Sequence, residues 1–383
     1  MGSLSPLFPG VTVVREFATM PNLFDPIQLG AIHAPNRLLM APLTRGRATR
    51  EHVPTPIMAD YYAQRASAGL IISEATGISQ QGLGWAYAPG LWTDEQTDAW
   101  KPVVEAVHAA GGRIVAQLWH MGRLVHPDFL GGAAPVSASA NTAPGEVRTY
   151  PAEESGEIKR PYAQARPLRT DEIPGLLEDY ARAARNAIRA GFDGVQVHAA
   201  NGYLIDSFLR DNSNFRDDDY GGSIPNRVRL LHEVTERVVD TIGGERTGVR
   251  LSPNGEVQGI NDSNPAPLFE AAAAALDEIG IAFLEMREPR PEGTRGKPDH
   301  PPVHPGMRKL FKGPLILNAD YHLDDAQAAL DAGEADAIAF GRTFLANPDL
   351  PHRLRERLPL NPQREELFYV GGAEGYTDYP VAA

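Results

Sequence analysis

The sequence predicts an α/β protein, a TIM (β/α)8 barrel built as a single domain with long loops over the C-terminal face of the barrel. Eight apolar runs rich in Val, Ile and Leu recur along the chain. Amphipathic stretches separate them, and these are long enough for the crossovers that parallel strands require. Eight such units over about 320 residues fit a barrel with insertions better than an open sheet, which usually has fewer units.

The strand candidates are near-continuous apolar segments. This is the pattern of strands that are covered on both faces, as they are in a parallel barrel. In chain order they span residues 37–43, 69–75, 112–119, 194–199, 248–253, 282–287, 314–319 and 335–342.

The stretches between the strands have the signals of helices. Apolar residues recur at helical spacing over residues 176–190, 228–242 and 267–279. Thr93 and Thr170, each followed by Asp, stand where helices should begin. Helix ends are marked by glycine, which readily adopts the left-handed conformation of a C-cap; these glycines are Gly111, Gly191, Gly280 and Gly333.

Two segments interrupt the alternation, and long loops inside a compact domain usually serve function. Residues 122–169 are rich in Pro, Gly, Ala and Ser, and we expect their middle part, 150–162, to form a short hairpin over the strand C-termini. Residues 288–305 are rich in proline and predict an ordered but irregular excursion. Residues 1–20 show no pattern and predict a disordered N-terminal extension or an upstream start, which leaves 21–383 as the barrel domain.

The composition argues against several classes of function. The chain has 36 Lys and Arg against 49 Asp and Glu, a net charge of −13, so it has no basic excess for a nucleic-acid backbone. It has no cysteine, which removes disulfide frameworks and cysteine nucleophiles and is compatible with a cytoplasmic location. No apolar run approaches the roughly 18 residues that cross a bilayer. We expect no nucleic-acid or membrane partner, no metal, and a monomer or homodimer.

Polar side chains follow the apolar strands at the end where barrel enzymes place their catalytic groups. Arg250 is the most informative, since a guanidinium in an apolar strand is costly to bury without an anion, although a structural salt bridge explains it equally well. A lone histidine at a strand end is more often structural than catalytic. The whole cluster comprises Pro42, Leu43, Thr44, Gln117, His198, Asn201, Tyr203, Arg250, Gly341 and Arg342.

The loops after the seventh and eighth strands predict a phosphate site. Asn318, Ala319 and Asp320 follow the seventh strand, and Gly341 and Arg342 follow the eighth. Many barrels bind phosphate there through loop amides and a helix N-terminus. The alternative is an ordinary helix start with a surface arginine.

The segment after the fourth strand predicts a binding clamp. His198, Asn201 and Tyr203 place two hydrogen-bond donors and a weak acid beyond one strand, which suits an oxyanion clamp with a proton donor. A metal site is a weaker interpretation because His198 and Asp206 lack a third ligand at suggestive spacing. A glycosidase is weaker too, and depends on the carboxylates near the sixth strand, Glu285 and Glu288. No G-x-G-x-x-G follows any strand, so we expect no Rossmann nicotinamide domain.

An ordered set of segments carries a family resemblance: NRLLMAPLTR (36–45), QRASAGLIISEATGIS (64–79), AQLWHMGR (116–123), HAANGYLIDSFL (198–209), DDDYGGSIPNRVRLL (217–231), FGRTFLANPDL (340–350) and GGAEGYTDYP (371–380). On these segments the sequence resembles the Old Yellow Enzyme family of flavin-dependent ene-reductases, close to the bacterial branch of N-ethylmaleimide and nitrate-ester reductases. The likeness runs from about residue 22 to residue 380.

The resemblance implies a barrel that holds FMN noncovalently at the strand C-termini and takes its electrons from NAD(P)H. By that likeness Thr44 tunes the flavin carbonyl edge, Arg250 faces N1 and O2, and Arg342 binds the phosphate. A fixed guanidinium suits N1, because reduction of the ring places negative charge there. The implied cofactor-binding residues are Pro42, Leu43, Thr44, Ala75, Gln117, His198, Arg250, Asn318, Ala319, Asp320, Gly341 and Arg342.

The resemblance also implies the roles of the substrate residues. His198 and Asn201 would bind the carbonyl or nitro oxygen, and Tyr203 would protonate the α-carbon; these three are the implied catalytic residues. Tyr369 resembles an aromatic residue that covers the substrate. Trp119 resembles one that shapes the pocket. Trp85 stands where relatives often have tyrosine, which should narrow or reshape the pocket, so the implied substrate-binding residues are His198, Asn201, Trp85, Trp119 and Tyr369.

The implied activity is reduction of electron-poor C=C bonds in α,β-unsaturated carbonyls, maleimides and nitroalkenes, with nitrate esters as a further class, by ping-pong hydride transfer through FMN. Two alternatives remain open. One is a flavin-free phosphate-binding lyase or isomerase that uses His198 and Tyr203 as acid and base, and the other is a non-catalytic binding protein. Asp320 departs from the family pattern of a small residue, and we expect its carboxylate to turn away from the phosphate.

Overall fold

The computed structural model describes residues 21–150, 158–294 and 296–382, so the predicted extension 1–20 lies outside the described residues. Eight parallel strands close into a barrel, in which the last strand pairs with the first at Phe340 and Met40. The predicted TIM barrel is confirmed. Its strands are β1 (Leu38–Met40), β2 (Ile71–Gly77), β3 (Ile114–Trp119), β4 (Gly194–His198), β5 (Thr247–Leu251), β6 (Phe283–Arg287), β7 (Leu315–Asn318) and β8 (Ala337–Phe340).

Helices connect the strands, and the predicted caps form at Thr93 and at the glycines. Thr170 is not a cap, because it is the first residue of the 3-10 turn Thr170–Glu172, whose N-cap is Arg169. The Thr93 hydroxyl accepts a hydrogen bond from the backbone N–H of Gln96, and Gly191 ends a helix with a φ of 98°. The helices after β3, β4 and β5 begin earlier than predicted, because a 3-10 turn or a proline leads into each of them. The helices are α1 (Pro56–Ala63), α2 (Asp94–Ala109), α3 (Ile173–Ala190), α4 (Leu204–Leu209), α5 (Ile224–Ile242), α6 (Pro265–Ile279), α7 (His304–Leu310), α8 (Leu323–Asp331), α9 (Arg342–Ala346) and α10 (Leu350–Arg355).

The barrel interior is apolar near the N-terminal ends of the strands. Phe283 fills the space there because Gly248 on the neighbouring strand lacks a side chain; a Cβ at Gly248 would lie 2.3 Å from the Phe283 ring. The hairpin of Ile27–Leu29 and Ile32–Ala34 covers this end, where the Ala31 N–H donates to the Glu245 carbonyl at 2.7 Å. Side chains two apart on a strand share a face, so Glu285 follows Phe283 into the interior.

The interruptions in the alternation have the character that the sequence predicts. In the first, a hairpin forms but begins before the predicted residue 150: Glu146–Thr149 pairs with Ile158–Pro161 in antiparallel orientation. The Tyr150 hydroxyl beside it accepts a hydrogen bond from the Tyr87 N–H at 3.1 Å, which holds the insertion against the loop that follows β2. The second, between β6 and α7, is irregular over its described residues. No helix among the described residues is both long enough and apolar enough to cross a membrane.

Candidate active site

A cavity of about 530 Å³ opens at the C-terminal end of the barrel. Its walls come from the segments after β1, β4, β5, β7 and β8 and from the chain near the C-terminus. The predicted site residues that line it are Pro42, Leu43, Thr44, Trp85, Asn201, Tyr203, Arg250, Asn318, Ala319, Asp320, Gly341, Arg342 and Tyr369. The other predicted residues are buried beside this wall: Ala75, Gln117, Trp119 and His198.

A second cavity, of about 560 Å³, lies between α8 and the segment that follows β6. Asn318 and Tyr321 line both cavities, but none of the predicted clamp residues lines the second one. Among the described residues, no group of three or more His, Asp or Glu side chains is arranged to hold a metal ion. We therefore place the candidate active site in the first cavity.

The predicted clamp residues pack against one another. The Tyr203 ring meets the His198 ring edge-on, with centroids 4.8 Å apart, and meets the Trp119 ring edge-on at 4.9 Å. Asn201 has a φ of 58°, and its N–H donates to the Ser252 hydroxyl at 2.8 Å. Asn201 Oδ1 is buried and makes no hydrogen bond to the described residues, which is typical of a polar group placed to meet a ligand.

The surroundings of His198 fix its protonation state. Burial, and then the positive charge of Arg250, lower the pKa of His198 well below its ordinary value. Its Nδ1 accepts a hydrogen bond from the Ala200 N–H at 3.3 Å. The proton of the neutral ring therefore sits on Nε2, which makes Nε2 a hydrogen-bond donor.

The surroundings of Tyr203 also keep it protonated. Burial raises the pKa of Tyr203 above its ordinary value, while a hydrogen bond from the Gln258 side chain and the charge of Arg250 act in the opposite direction. The phenol thus retains its proton at neutral pH. It also has a donor beside its oxygen, which suits a group that gives its proton away.

Arg250 has two kinds of partner. Its Nε lies 3.3 Å from Oε1 of the buried Glu285, and its Nη2 donates to Asn318 Oδ1 at 2.8 Å. The structural salt bridge considered from the sequence is therefore present. Arg250 nevertheless lines the cavity, so its charge acts on whatever the cavity holds.

The predicted phosphate end holds an ion-pair cluster. Arg342 Nη2 lies 2.5 Å from Asp320 Oδ1 and 2.5 Å from the Thr294 hydroxyl. Asp320 Oδ2 accepts from the Thr294 N–H at 2.7 Å. The Asp320 carboxylate thus contacts the arginine that the resemblance assigns to phosphate.

The sequence does not predict several residues of the site. Arg287, Gln258 and Phe368 line the cavity, and Gln196 lies buried between Gln117 and Glu285. The sequence could have indicated Arg287, because it stands two residues after Glu285 and therefore lies on the same face of β6. Gln258 and Phe368 lie in loops, where spacing carries no such signal.

The residues at hand fit FMN. The cavity volume lies in the range of cofactor sites, and three guanidinium groups, those of Arg250, Arg287 and Arg342, line it in a chain that is acidic overall. A Cβ added to Gly341 would meet nothing nearer than Leu43 Cδ2 at 3.6 Å, so the backbone there is open to a close contact. Positive charge near both a ring site and a phosphate site is what this cofactor requires.

Comparisons with known proteins identify relatives of the whole chain. The family model described as "NADH:flavin oxidoreductase / NADH oxidase family" matches residues 22–361. The old yellow enzyme homologue from Zymomonas mobilis (NCR) is similar in structure, with a TM-score of 0.92 and 61% identity over 94% of this chain and 100% of that chain. Morphinone reductase in complex with tetrahydroNAD has a TM-score of 0.90 and 48% identity over 95% and 98%. A putative 12-oxophytodienoate reductase 11 from Oryza sativa subsp. japonica is 44% identical over 94% of this chain and 97% of that protein.

Proposed function

The chain belongs to the NADH:flavin oxidoreductase family, as an Old Yellow Enzyme-type FMN ene-reductase that a nicotinamide reduces, and on that premise we propose its substrates and its catalytic residues. The substrates are α,β-unsaturated carbonyls, maleimides and nitroalkenes, with nitrate esters as a further class. The family assignment replaces the flavin-free and non-catalytic alternatives. We further propose one barrel domain over residues 21–383 that works as a monomer or homodimer.

One observation carries the substrate proposal: Asn201 and the protonated phenol of Tyr203 line the cavity, and the neutral His198 lies buried beside that wall, packed against the Tyr203 ring. His198 offers Nε2–H, Asn201 offers the NH2 of its side chain, and Tyr203 offers its O–H. Two donors suit a carbonyl or nitro oxygen, on which negative charge develops as the double bond is reduced. The acid beside them suits the carbon that must be protonated.

When bound, FMN would supply the redox chemistry, which is hydride transfer from NAD(P)H to the β-carbon of the substrate. The residues that would hold the FMN ring are Pro42, Leu43, Thr44, Ala75, Gln117, His198 and Arg250. Those that would hold its phosphate are Asn318, Ala319, Asp320, Gly341 and Arg342. His198 and Asn201 hold the substrate oxygen, and Tyr203 gives its proton to the α-carbon. Trp85, Trp119 and Tyr369 would shape the substrate pocket. In a ping-pong reaction, the nicotinamide would leave before the substrate enters.

Replacement of Tyr203 by phenylalanine tests this assignment. Tyr203→Phe removes the proton but keeps the ring that packs on His198 and Trp119. We expect reduction of the enzyme by NADPH to stay nearly unchanged, whereas reoxidation by an enone slows by roughly 10²-fold or more. Stopped-flow absorbance at the flavin band measures the two half-reactions separately.

Two outcomes would contradict the assignment. Equal slowing of both half-reactions would remove Tyr203 from the proton step. A wild-type protein that binds FMN and oxidises NADPH but reduces no member of a panel of enones, maleimides, nitroalkenes and nitrate esters would remove the substrate classes.

A further inference from the structure

A chain of buried polar side chains crosses the barrel between β3 and β7. Gln117 Nε2 donates to Gln196 Oε1 at 2.7 Å, and Gln196 Nε2 donates to Glu285 Oε2 at 2.7 Å. Glu285 Oε1 pairs with Arg250 Nε at 3.3 Å, and Arg250 Nη2 donates to Asn318 Oδ1 at 2.8 Å. The chain therefore joins three residues of the proposed FMN site through two residues that do not line the cavity.

Glu285 determines how the side-chain amides of Gln196 and Gln117 are oriented. An ionised carboxylate only accepts hydrogen bonds, so the Gln196 amide must turn its NH2 toward Glu285. Its carbonyl oxygen then faces Gln117, and the Gln117 NH2 must turn toward Gln196. The carbonyl oxygen of Gln117 is left as the end of that amide that can accept a hydrogen bond from a bound ring.

Glu285 also acts on the charge of Arg250. It is fully buried, and it lies opposite Arg250 in the pairing of β5 with β6. Asn318, which holds Arg250 from the other side, is held in turn by a hydrogen bond from its Nδ2 to the Ala339 carbonyl at 2.7 Å. In an interior of low dielectric, a carboxylate this close offsets a large part of the field of the guanidinium.

We propose that Glu285 is a positioning residue that fixes the donor and acceptor ends of Gln117 and lowers the reduction potential of bound FMN by offsetting the charge of Arg250. The inference rests on the proposed FMN contacts of Gln117 and Arg250. Burial raises the pKa of Glu285, and the charge of Arg250 and the Gln196 hydrogen bond oppose that rise. Arg250 stays charged at any working pH, and its charge favours the ionised carboxylate.

The FMN-loaded Glu285→Gln protein tests the charge. The substitution keeps the size of the side chain and removes its charge, so Arg250 acts in full on the ring. We expect the two-electron reduction equilibrium to shift toward reduced flavin by about tenfold, which corresponds to about 30 mV. The absorption band of the oxidised flavin should shift as well. Glu288→Gln is the matched control, since Glu288 is a buried carboxylate that binds His304 and Asn254 outside the proposed FMN site; its potential should stay within about twofold in equilibrium constant.

Gln196→Met tests the amide orientation separately. It breaks the hydrogen bonds that link Glu285 to Gln117 but keeps the pair of Glu285 with Arg250. We expect the dissociation constant for FMN to be roughly tenfold larger, consistent with the loss of one oriented hydrogen bond. The reduction potential should stay close to that of the wild type. Glu285→Asp, which keeps the charge, should also keep the potential. If Glu285→Gln does not fold, the weakened FMN binding of Gln196→Met remains the test, and wild-type FMN affinity in that variant overturns the inference.

The inference is wrong if Glu285→Gln has the wild-type potential and spectrum, or if Glu288→Gln shifts them equally. If Glu285→Gln leaves the potential unchanged while the wild-type enzyme reduces alkenes normally, the result counts against the role of Glu285 alone. Absent alkene reduction with the expected potential shift would count against the proposed substrates alone.

Discussion

Burial lowers the pKa of His198 and raises the pKa of Tyr203, and both shifts favour a neutral hydrogen-bond donor. It removes the proton from the imidazolium of His198 and keeps the proton on the phenol of Tyr203. Both groups are then neutral donors at physiological pH, and neither has to change its protonation state before substrate binds. A charged imidazolium beside Arg250 would place two cations in one buried wall, which is costly.

The binding of a neutral enone should therefore depend little on pH. An ordinary histidine would gain a proton as the pH falls through about 6.5, and the charged ring would donate more strongly and tighten binding. Because the pKa of His198 lies well below that value, we expect the dissociation constant to change less than about twofold between pH 8 and pH 5.5. Flavin absorbance titrations of the oxidised enzyme measure it.

A marked tightening of enone binding at low pH would show that His198 titrates in this range. The same titrations on His198→Ala supply the control. If the pH dependence survives the loss of the imidazole, another group is responsible for it.

At the scale of elements, the loops after β4 and β5 are joined around the phenol. Gln258, with a φ of 55°, donates from Nε2 to the Asn201 carbonyl at 2.8 Å, and its side chain also hydrogen-bonds Tyr203. The buried Arg123 donates to the Gln258 carbonyl at 2.7 Å. A donor held against the phenol oxygen turns the O–H toward the cavity and stabilises the phenolate that proton transfer leaves.

Gln258→Leu should therefore slow proton delivery by about tenfold, a modest part of what a positioned acid contributes. The effect should disappear in the Tyr203→Phe background, because Gln258 acts through that hydroxyl. Asn212→Ala is the control, since Asn212 holds the same loop through the Gly259 carbonyl, at 3.3 Å, without contacting Tyr203. Full additivity of the Gln258 and Tyr203 substitutions in stopped-flow reoxidation would contradict this coupling.

The start of α3 offers a test in which stability depends on pH. Glu172 accepts from both Nη atoms of Arg166 and from the Arg169 N–H, and the Arg166 hydrogen bonds are the main cause that lowers the pKa of Glu172 to about 2. The folded pKa lies below the unfolded one, so the stabilisation is present above about pH 4.5 and is lost as the pH falls toward 2.

Glu172→Gln should accordingly lower the free energy of unfolding by about 1 kcal/mol at pH 7 and by much less at pH 3. Urea unfolding at the two pH values measures the difference. Asp171→Asn removes an exposed carboxylate of the same turn and should cost about 0.5 kcal/mol or less at either pH. A Glu172 deficit that is equal at both pH values would show that lost packing, rather than charge, causes it.

The elements themselves were largely predictable, because their signals are local. Apolar runs, helical spacing and cap residues such as Thr93 and Gly191 locate the strands and helices to within a few residues. Strand ends also identify polar residues that line the cavity. The sequence does not predict how side chains from distant segments meet. The pairing of Asp320 with Arg342 and the contact of Gln258 with Tyr203 depend on loop conformations that only the closed barrel fixes.

At the scale of the whole molecule, the C-terminal segment is bound to the loop that follows β1. Arg45 Nη2 donates to the Gly375 carbonyl at 2.6 Å, and Arg47 Nη2 donates to the Val370 carbonyl at 2.6 Å. The Tyr376 ring stacks on the Tyr61 ring of α1, with centroids 4.1 Å apart. Because Phe368 and Tyr369 of this segment line the cavity, the C-terminal segment and the loop after β1 together close one side of the site.

Tyr376→Ala should thus weaken both the fold and the site. It leaves a cavity beside Tyr61 and removes the ring over which the Arg45 and Arg47 guanidinium groups lie, so we expect a loss of about 3 kcal/mol or more in stability. The KM for enones should rise, because Tyr369 loses its support. Thermal unfolding and steady-state kinetics measure the two effects, and added FMN should recover part of the melting temperature, since ligand binding stabilises the folded state.

Two matched variants separate support of the site from general loss of stability. Tyr376→Phe should be nearly neutral, because the Tyr376 hydroxyl is buried and makes no hydrogen bond to the described residues. Tyr180→Ala empties an equally buried position on α3, away from the C-terminal segment, and should lower the melting temperature without raising KM. If Tyr180→Ala raises KM as much as Tyr376→Ala does, the kinetic effect follows from instability alone, and the C-terminal segment has no separate part in shaping the site.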